Sequence, residues 1–185
     1  MKRDFKAGAM IYPLPVALIT CGRNVDEYNI FTSTWMGTIS SDPPTCYISI
    51  KPERHSYNII KESMEFVINL TTVEIVKNVD YCGLTSGLNI NKFERFGLTA
   101  EYAKIVNAPI IKESPVNIEC VVKSILDFNS HDMFIADIVN VKVDEELFDT
   151  NSSRINLNKA DLLTFSYGNY YSLGEIVGKY GMSMK

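Results

Sequence analysis

The residues equipped for chemistry crowd into one stretch, residues 29–57 (NIFTSTWMGTISSDPPTCYISIKPERHSY). Thr32, Ser33 and Thr34 set three hydroxyls in a row beside Trp35, the only tryptophan of the chain. A strand turns successive side chains to opposite faces, so some of these hydroxyls must point at an interior or at a ligand. Farther on, Arg54-His55-Ser56 lies just before a helix expected to begin at Tyr57. A helix N-terminus offers free N–H groups and a positive dipole end, which suit a phosphate. A guanidinium adds two parallel donors, Ser56 adds a hydroxyl, and Lys92 supplies another positive charge from a loop-rich stretch. Together these types point to a phosphorylated aromatic ligand.

Each feature also has a plainer reading. Ser56 suits an N-cap, the hydroxyl run suits an exposed strand edge, and Arg54 suits an ordinary surface. A sole tryptophan is most often core. His131, between Ser130 and Asp132, reads from residue types alone as a polar turn residue, and His55 as a structural or surface one. The chain contains no G-x-x-x-x-G-K-[ST], G-x-G-x-x-G, G-x-S-x-G or H-E-x-x-H pattern. Its two histidines have no cysteine or second histidine at ligand spacing, so no metal site is expected. Without an evident nucleophile–base pair, any reactivity must come from a bound organic cofactor.

The elements that would position these groups are mostly strands. Apolar and β-branched runs predict strands at residues 14–21, 29–35, 45–51, 65–70, 116–125 and 133–143. Short strands at fairly regular spacing suggest a closed or partly closed antiparallel barrel. Two short helices are expected, one from Tyr57 to about Ser63 and one after a Thr71-x-x-Glu74 capping box, ending at Gly83. Residues 84–115 read as loop-rich with a helical turn near 92–96, and long irregular stretches in compact domains are often functional.

The 185 residues suit one domain spanning 1–185, with 46% hydrophobic residues and 22% charged. A net charge of -4 argues against nucleic-acid binding, and no apolar run reaches membrane-spanning length. Cys21, Cys46, Cys82 and Cys120 are widely spread and the N-terminus lacks a signal-peptide pattern, so a cytoplasmic protein without a disulfide framework is expected.

Beyond residue types, the chain resembles the flavin reductase-like family, and within it the flavoredoxin type. Residues 13–20 (PLPVALIT) resemble the family's opening strand, and residues 29–35 with Ser40-Ser41-Asp42-Pro43-Pro44 its flavin-contacting strand and following turn. Residues 49–56 (SIKPERHS) resemble its phosphate-side stretch, with Ser56 where threonine is frequent. Asn91-Lys92-Phe93 with Phe96-Gly97-Leu98-Thr99, His131 before the FIADIV run, and residues 171–181 complete the match along nearly the whole chain.

The resemblance implies a mainly β, FMN-binding split β-barrel, antiparallel and Greek-key in type, with a few short helices. It places Thr32, Ser33, Thr34 and Trp35 along the flavin and Ser49 and Ile50 on its other side. Asn29, Arg54, Ser56 and Lys92 would hold the ribityl chain and phosphate, and His131 and Phe165 would approach the cofactor late in the chain, from the same subunit or from a neighbouring one. It further implies a homodimer that exchanges electrons with a redox partner protein or with NAD(P)H. No residue is expected to be covalently catalytic. The leading function is an electron carrier with tightly bound FMN. An NAD(P)H:flavin oxidoreductase is the alternative, and a non-redox ligand-binding barrel the more distant one.

Overall fold

A computed structural model describes residues 1–149 and 154–184. In chain order the elements are β1 (Leu14–Pro15), β2 (Ala17–Cys21), β3 (Asn29–Ser33), β4 (Met36–Ser41), β5 (Pro44–Ile50), α1 (His55–Ser63), β6 (Glu65–Leu70), α2 (Val76–Leu84) and α3 (Lys92–Phe96). They continue with β7 (Ala100–Glu101), β8 (Ile110–Ile111), β9 (Val116–Asp127), β10 (Asp132–Val143), β11 (Leu163–Ser166) and β12 (Asn169–Ser172), with short 3-10 turns between.

The main sheet has seven antiparallel strands in the order β3-β2-β6-β9-β10-β5-β4. Its two edge strands, β3 and β4, are consecutive in the chain and joined only by Thr34 and Trp35. A sheet whose edges are covalently joined by two residues is drawn towards a barrel, and the Ser49 N–H, donating to the Trp35 carbonyl (2.8 Å), carries the β4–β5 ladder up to that junction. The predicted barrel is therefore present, and it closes within the hydroxyl-rich segment. A second, three-stranded sheet, β1-β11-β12, lies beside it.

Alternation along β2 shows how the barrel is packed on both faces. Ala17, Ile19 and Cys21 join Phe66, Ile48 and Phe134 in the barrel core, whereas Leu18 packs outward against Val79, Phe93 and Ile111. That second cluster fixes α2 and α3 on the outside of β2 and β3. Burial of such side chains stabilises by ~2 kcal/mol each.

Several expectations need correction. The Thr71-x-x-Glu74 pattern caps nothing: α2 begins after Ile75 with no side-chain cap, and the buried Thr71 hydroxyl donates instead to Val16 O (2.9 Å). The first helix starts at His55, two residues earlier than expected, so Ser56 lies inside it. Strand β4 was not predicted, because Gly37, Ser40 and Ser41 in an edge strand lack a β-branched run. Nor was the β11–β12 hairpin, whose turn residues Tyr167 and Gly168 both have positive φ (47° and 88°), the conformation usually signalled by Asn-Gly. Sulfur atoms of Cys46 and Cys120 lie 3.6 Å apart in the core. Their strands β5 and β9 flank β10, however, and alternate strands sit about 9 Å apart, beyond the ~7 Å a disulfide tolerates.

The loop after β7 is held by a buried carboxylate. Glu119 is fully buried, and it accepts hydrogen bonds from the backbone N–H groups of Lys104 (3.0 Å), Ile105 (2.7 Å) and Val106 (3.2 Å) and from the Asn140 amide (2.8 Å). Burial pushes its pKa up, but these four donors more than offset it and hold the carboxyl below its ordinary value. A depressed folded-state pKa contributes stability above the ordinary carboxylate range that disappears as pH falls through the folded value. Glu119→Gln is therefore expected to cost about 2 kcal/mol near neutral pH, read by denaturant titration, with a smaller difference from wild type in acid.

Candidate functional site

At the barrel's mouth, β3, the start of α1, the end of α2 and α3 enclose a polar cavity of about 330 Å³. Asn29, Arg54, Ser56 and Lys92 line it, together with Phe31, Lys51 and the 84–87 turn. A narrower cavity of about 160 Å³ continues from it, sharing Phe31, Lys51 and Arg54. Thr32, Ser33, Thr34, Trp35, Ser49, Ile50 and His131 line this second part. Every predicted site residue except Phe165 thus borders one continuous cleft, polar and cationic at one end and slot-like at the other.

Phe165 lies elsewhere. It sits on β11 opposite Leu14, edge-to-face with Tyr170 (ring centroids 5.5 Å apart), against the outer apolar cluster.

The cationic end is built around Lys92. This residue is only 2% exposed. Asn91 caps α3 by accepting from the N–H groups of Phe93 and Glu94, which fixes the turn where Lys92 enters the core. The Lys92 ammonium donates to the carbonyls of Ile30 (2.7 Å) and Cys82 (2.9 Å), tying β3 to the last turn of α2. No carboxylate lies within ion-pair distance of it among the described residues. Its neighbouring thiols do not replace one, since burial raises Cys21 to about 12 and Cys82 to about 11, leaving both neutral. Burial accordingly pushes the Lys92 pKa down, and Arg54 pushes it the same way. Taking an ammonium out of water without a counter-charge is costly, and an anion in the adjoining cavity would relieve it.

The other polar groups are held in place rather than free. Arg54 donates to Gly83 O (2.9 Å), and the Asn29 amide donates to the Ser56 hydroxyl (2.7 Å). This pair explains Gly87, which the sequence reading passed over. A Cβ there would stand 2.0 Å from Asn29 Oδ1, so only glycine lets the turn approach. The plain N-cap reading of Ser56 is set aside, since its side chain caps nothing and faces Asn29. Thr32 borders the slot, but its hydroxyl is engaged outward, donating to Val79 O, which leaves the hydroxyls of Ser33 and Thr34 to the slot.

Trp35 is 40% exposed, so the core reading does not apply to it. His131 lies against its ring, tilted by 37° with centroids 4.5 Å apart, and Ser130 Oγ lies 3.0 Å from Nδ1. The next residue, Asp132, accepts a hydrogen bond from the Tyr57 hydroxyl of α1, joining the His131 end of β10 to the helix that carries Ser56. Burial lowers the His131 pKa below the ordinary 6.5, and Lys51 and Arg54 outweigh Glu53 in the same direction. No group of His, Cys, Asp and Glu able to hold a metal ion occurs among the described residues, and no helix there is long and apolar enough to cross a membrane.

The flavin reductase like domain model matches residues 9–174. The chain belongs to that family. Flavoredoxin of Desulfovibrio vulgaris (Miyazaki F) superposes with a TM-score of 0.92 at 31% identity, covering 100% of both chains. A flavoredoxin from Methanosarcina acetivorans gives 0.90 at 26% identity, again over 100% of both. An uncharacterised Archaeoglobus fulgidus protein is 35% identical over 131 residues, 71% of this chain and 73% of its own. Family membership gives this chain a flavin-binding redox role on a split barrel. It also fits the cleft: a buried ammonium lacking a counter-anion at one end, a slot walled by Trp35 and backbone at the other.

The Trp35–His131 contact provides a direct check of the slot. Because the folded protein favours neutral His131, acidification is expected to quench Trp35 fluorescence with a midpoint below 6.5 as the imidazolium forms beside it. His131→Asn is expected to abolish that transition. A midpoint at or above 6.5 would contradict the assigned environment.

Proposed function

We propose that the protein holds one FMN and passes electrons through it in the manner of a flavoredoxin. The observation that supports this most is Lys92, buried, uncompensated and open to the cavity beside Arg54. A flavin phosphate in the polar cavity would receive Lys92, Arg54, the Ser56 hydroxyl and the α1 N-terminus, and Asn29 would meet the ribityl chain. The isoalloxazine would extend into the slot between Ser33–Trp35 and Ser49–Ile50, with His131 at its edge. Bound there, the flavin supplies reversible acceptance of one or two electrons. The protein's own contribution is to hold it, orient it and set donors at the ring edge, where charge develops on reduction.

FMN fits better than FAD on electrostatic grounds. Past the phosphate end the cleft widens to about 1000 Å³, bordered by Asp26, Glu27, Glu53, Glu62 and Glu94 against Arg23 and Arg54. A second phosphate would enter a region where acids outnumber bases. The exposed apolar side chains of both ends, Phe5 and Met10 before β1 and Ile176, Val177 and Tyr180 after β12, support a homodimer in which a second copy covers them.

A carrier reduced by a protein partner and an NAD(P)H:flavin oxidoreductase are separated by anaerobic titration of the FMN-loaded protein with NADH and NADPH. The carrier reading expects an absorbance band that persists with either nucleotide and bleaches with dithionite. Rapid bleaching by NADH or NADPH would replace it with the reductase. Arg54→Ala and Lys92→Met are each expected to weaken FMN binding about 10- to 100-fold in a folded protein, the effect of losing a charge-assisted hydrogen bond. Unchanged affinity in both would remove the phosphate assignment.

A further inference from the structure

On the far side of the barrel closure lies a chamber of about 300 Å³ that the flavin reading leaves unused. Its wall is the closure itself: Thr34, Trp35 and Ser49 line both this chamber and the slot. Ile11 and Leu14 line it from the N-terminal arm and β1, and Met36, Tyr47 and Met133 line it from the barrel. No charged residue lines it. The contrast with the neighbouring cleft, where Lys51, Arg54 and Lys92 meet, is sharp.

Resting on the flavin reading of that cleft, we propose that this chamber is a binding site for a neutral, flat ring bearing carbonyl groups, a quinone, which serves as electron acceptor. Three features select that chemistry. An apolar cavity of about 150 Å³ already accommodates benzene, so this one holds one or two fused rings. Thr34, Ser49, Tyr12 and Tyr47 bring hydroxyls, donors for carbonyl oxygens, to an otherwise apolar lining. A nicotinamide dinucleotide, with its two phosphates, finds no cation there and far too little room.

The shared wall places such a ring within a few atoms of the slot. Overall, the quinone gains two electrons and two protons to become the hydroquinone while dihydroflavin returns to oxidised flavin, so no further oxidant is needed.

The test starts without flavin. Trp35 is the only tryptophan and lines the chamber, so 1,4-naphthoquinone added to apoprotein is expected to quench its fluorescence along a saturable curve. Ala9→Phe and Met133→Phe would each place a ring into the chamber, from the arm and from β10. Both are expected to weaken the saturation about tenfold while leaving FMN affinity unchanged. Quenching that rises linearly, that is equally saturable in both variants, or that vanishes at concentrations where the protein is dimeric overturns the site.

The acceptor role is read separately, after dithionite reduction of the FMN-loaded protein. Reoxidation by naphthoquinone is expected to saturate and to slow in both variants, whereas reoxidation by ferricyanide, a charged acceptor, stays as in wild type. Equal slowing with both acceptors, or no slowing, overturns that role. A protein that takes up no FMN yet shows saturable quenching would defeat the flavin reading and leave the chamber standing, so the two failures are distinct.

Discussion

Lys92 is the interaction on which the site depends. Its ammonium bridges the carbonyls of Ile30 and Cys82, so one cation pins the edge strand β3, the end of α2 and the start of α3 together. The protein has removed that charge from water, surrounded it with thiols that stay protonated, and given it no carboxylate. A purely structural role would be served better by a neutral donor, since desolvating an unpaired charge costs several kcal/mol. The arrangement is economical only if an anion arrives. Binding and local stability are then one event, and the 84–87 turn should tighten when the anion is present.

The second constraint is topological. Because β3 and β4 are the two edges of the sheet and are separated by two residues, closure must happen at Thr34–Trp35. At that point Ser49 N–H bonds to Trp35 O, and Ser33–Trp35 together with Ser49–Ile50 line the slot. Curling the sheet thus brings residues of β3, β5 and β10 to one place. His131 is an example: it lies far along the chain from Trp35 yet its ring meets the indole, held by the Tyr57–Asp132 hydrogen bond next door.

Much of this was legible in the sequence because it rests on local chemistry. The hydroxyl run, the Arg54-His55-Ser56 triplet at the start of a helix, and the Lys92 turn are short patterns that the fold brings to one cleft. The strands that form the core were visible from their β-branched content. What escaped depended on distant neighbours. Gly87 gains its meaning only from Asn29 Oδ1 across the cavity, and Glu119 only from a loop that returns to it. Thr71 looked like a helix cap until Val16, the residue before β2, supplied its carbonyl as the partner. Trp35, by residue type a core side chain, stays partly exposed because barrel closure sets it at the seam.

The most direct test of the central claim compares FMN with riboflavin, which differ only in the phosphate, by calorimetric titration of the apoprotein at low salt. If Lys92 and Arg54 receive that phosphate, FMN is expected to bind at least about 100-fold more tightly than riboflavin, the combined effect of two or more charge-assisted hydrogen bonds. Equal affinities would contradict the account, for they would mean that the buried ammonium is not there for the flavin's anion.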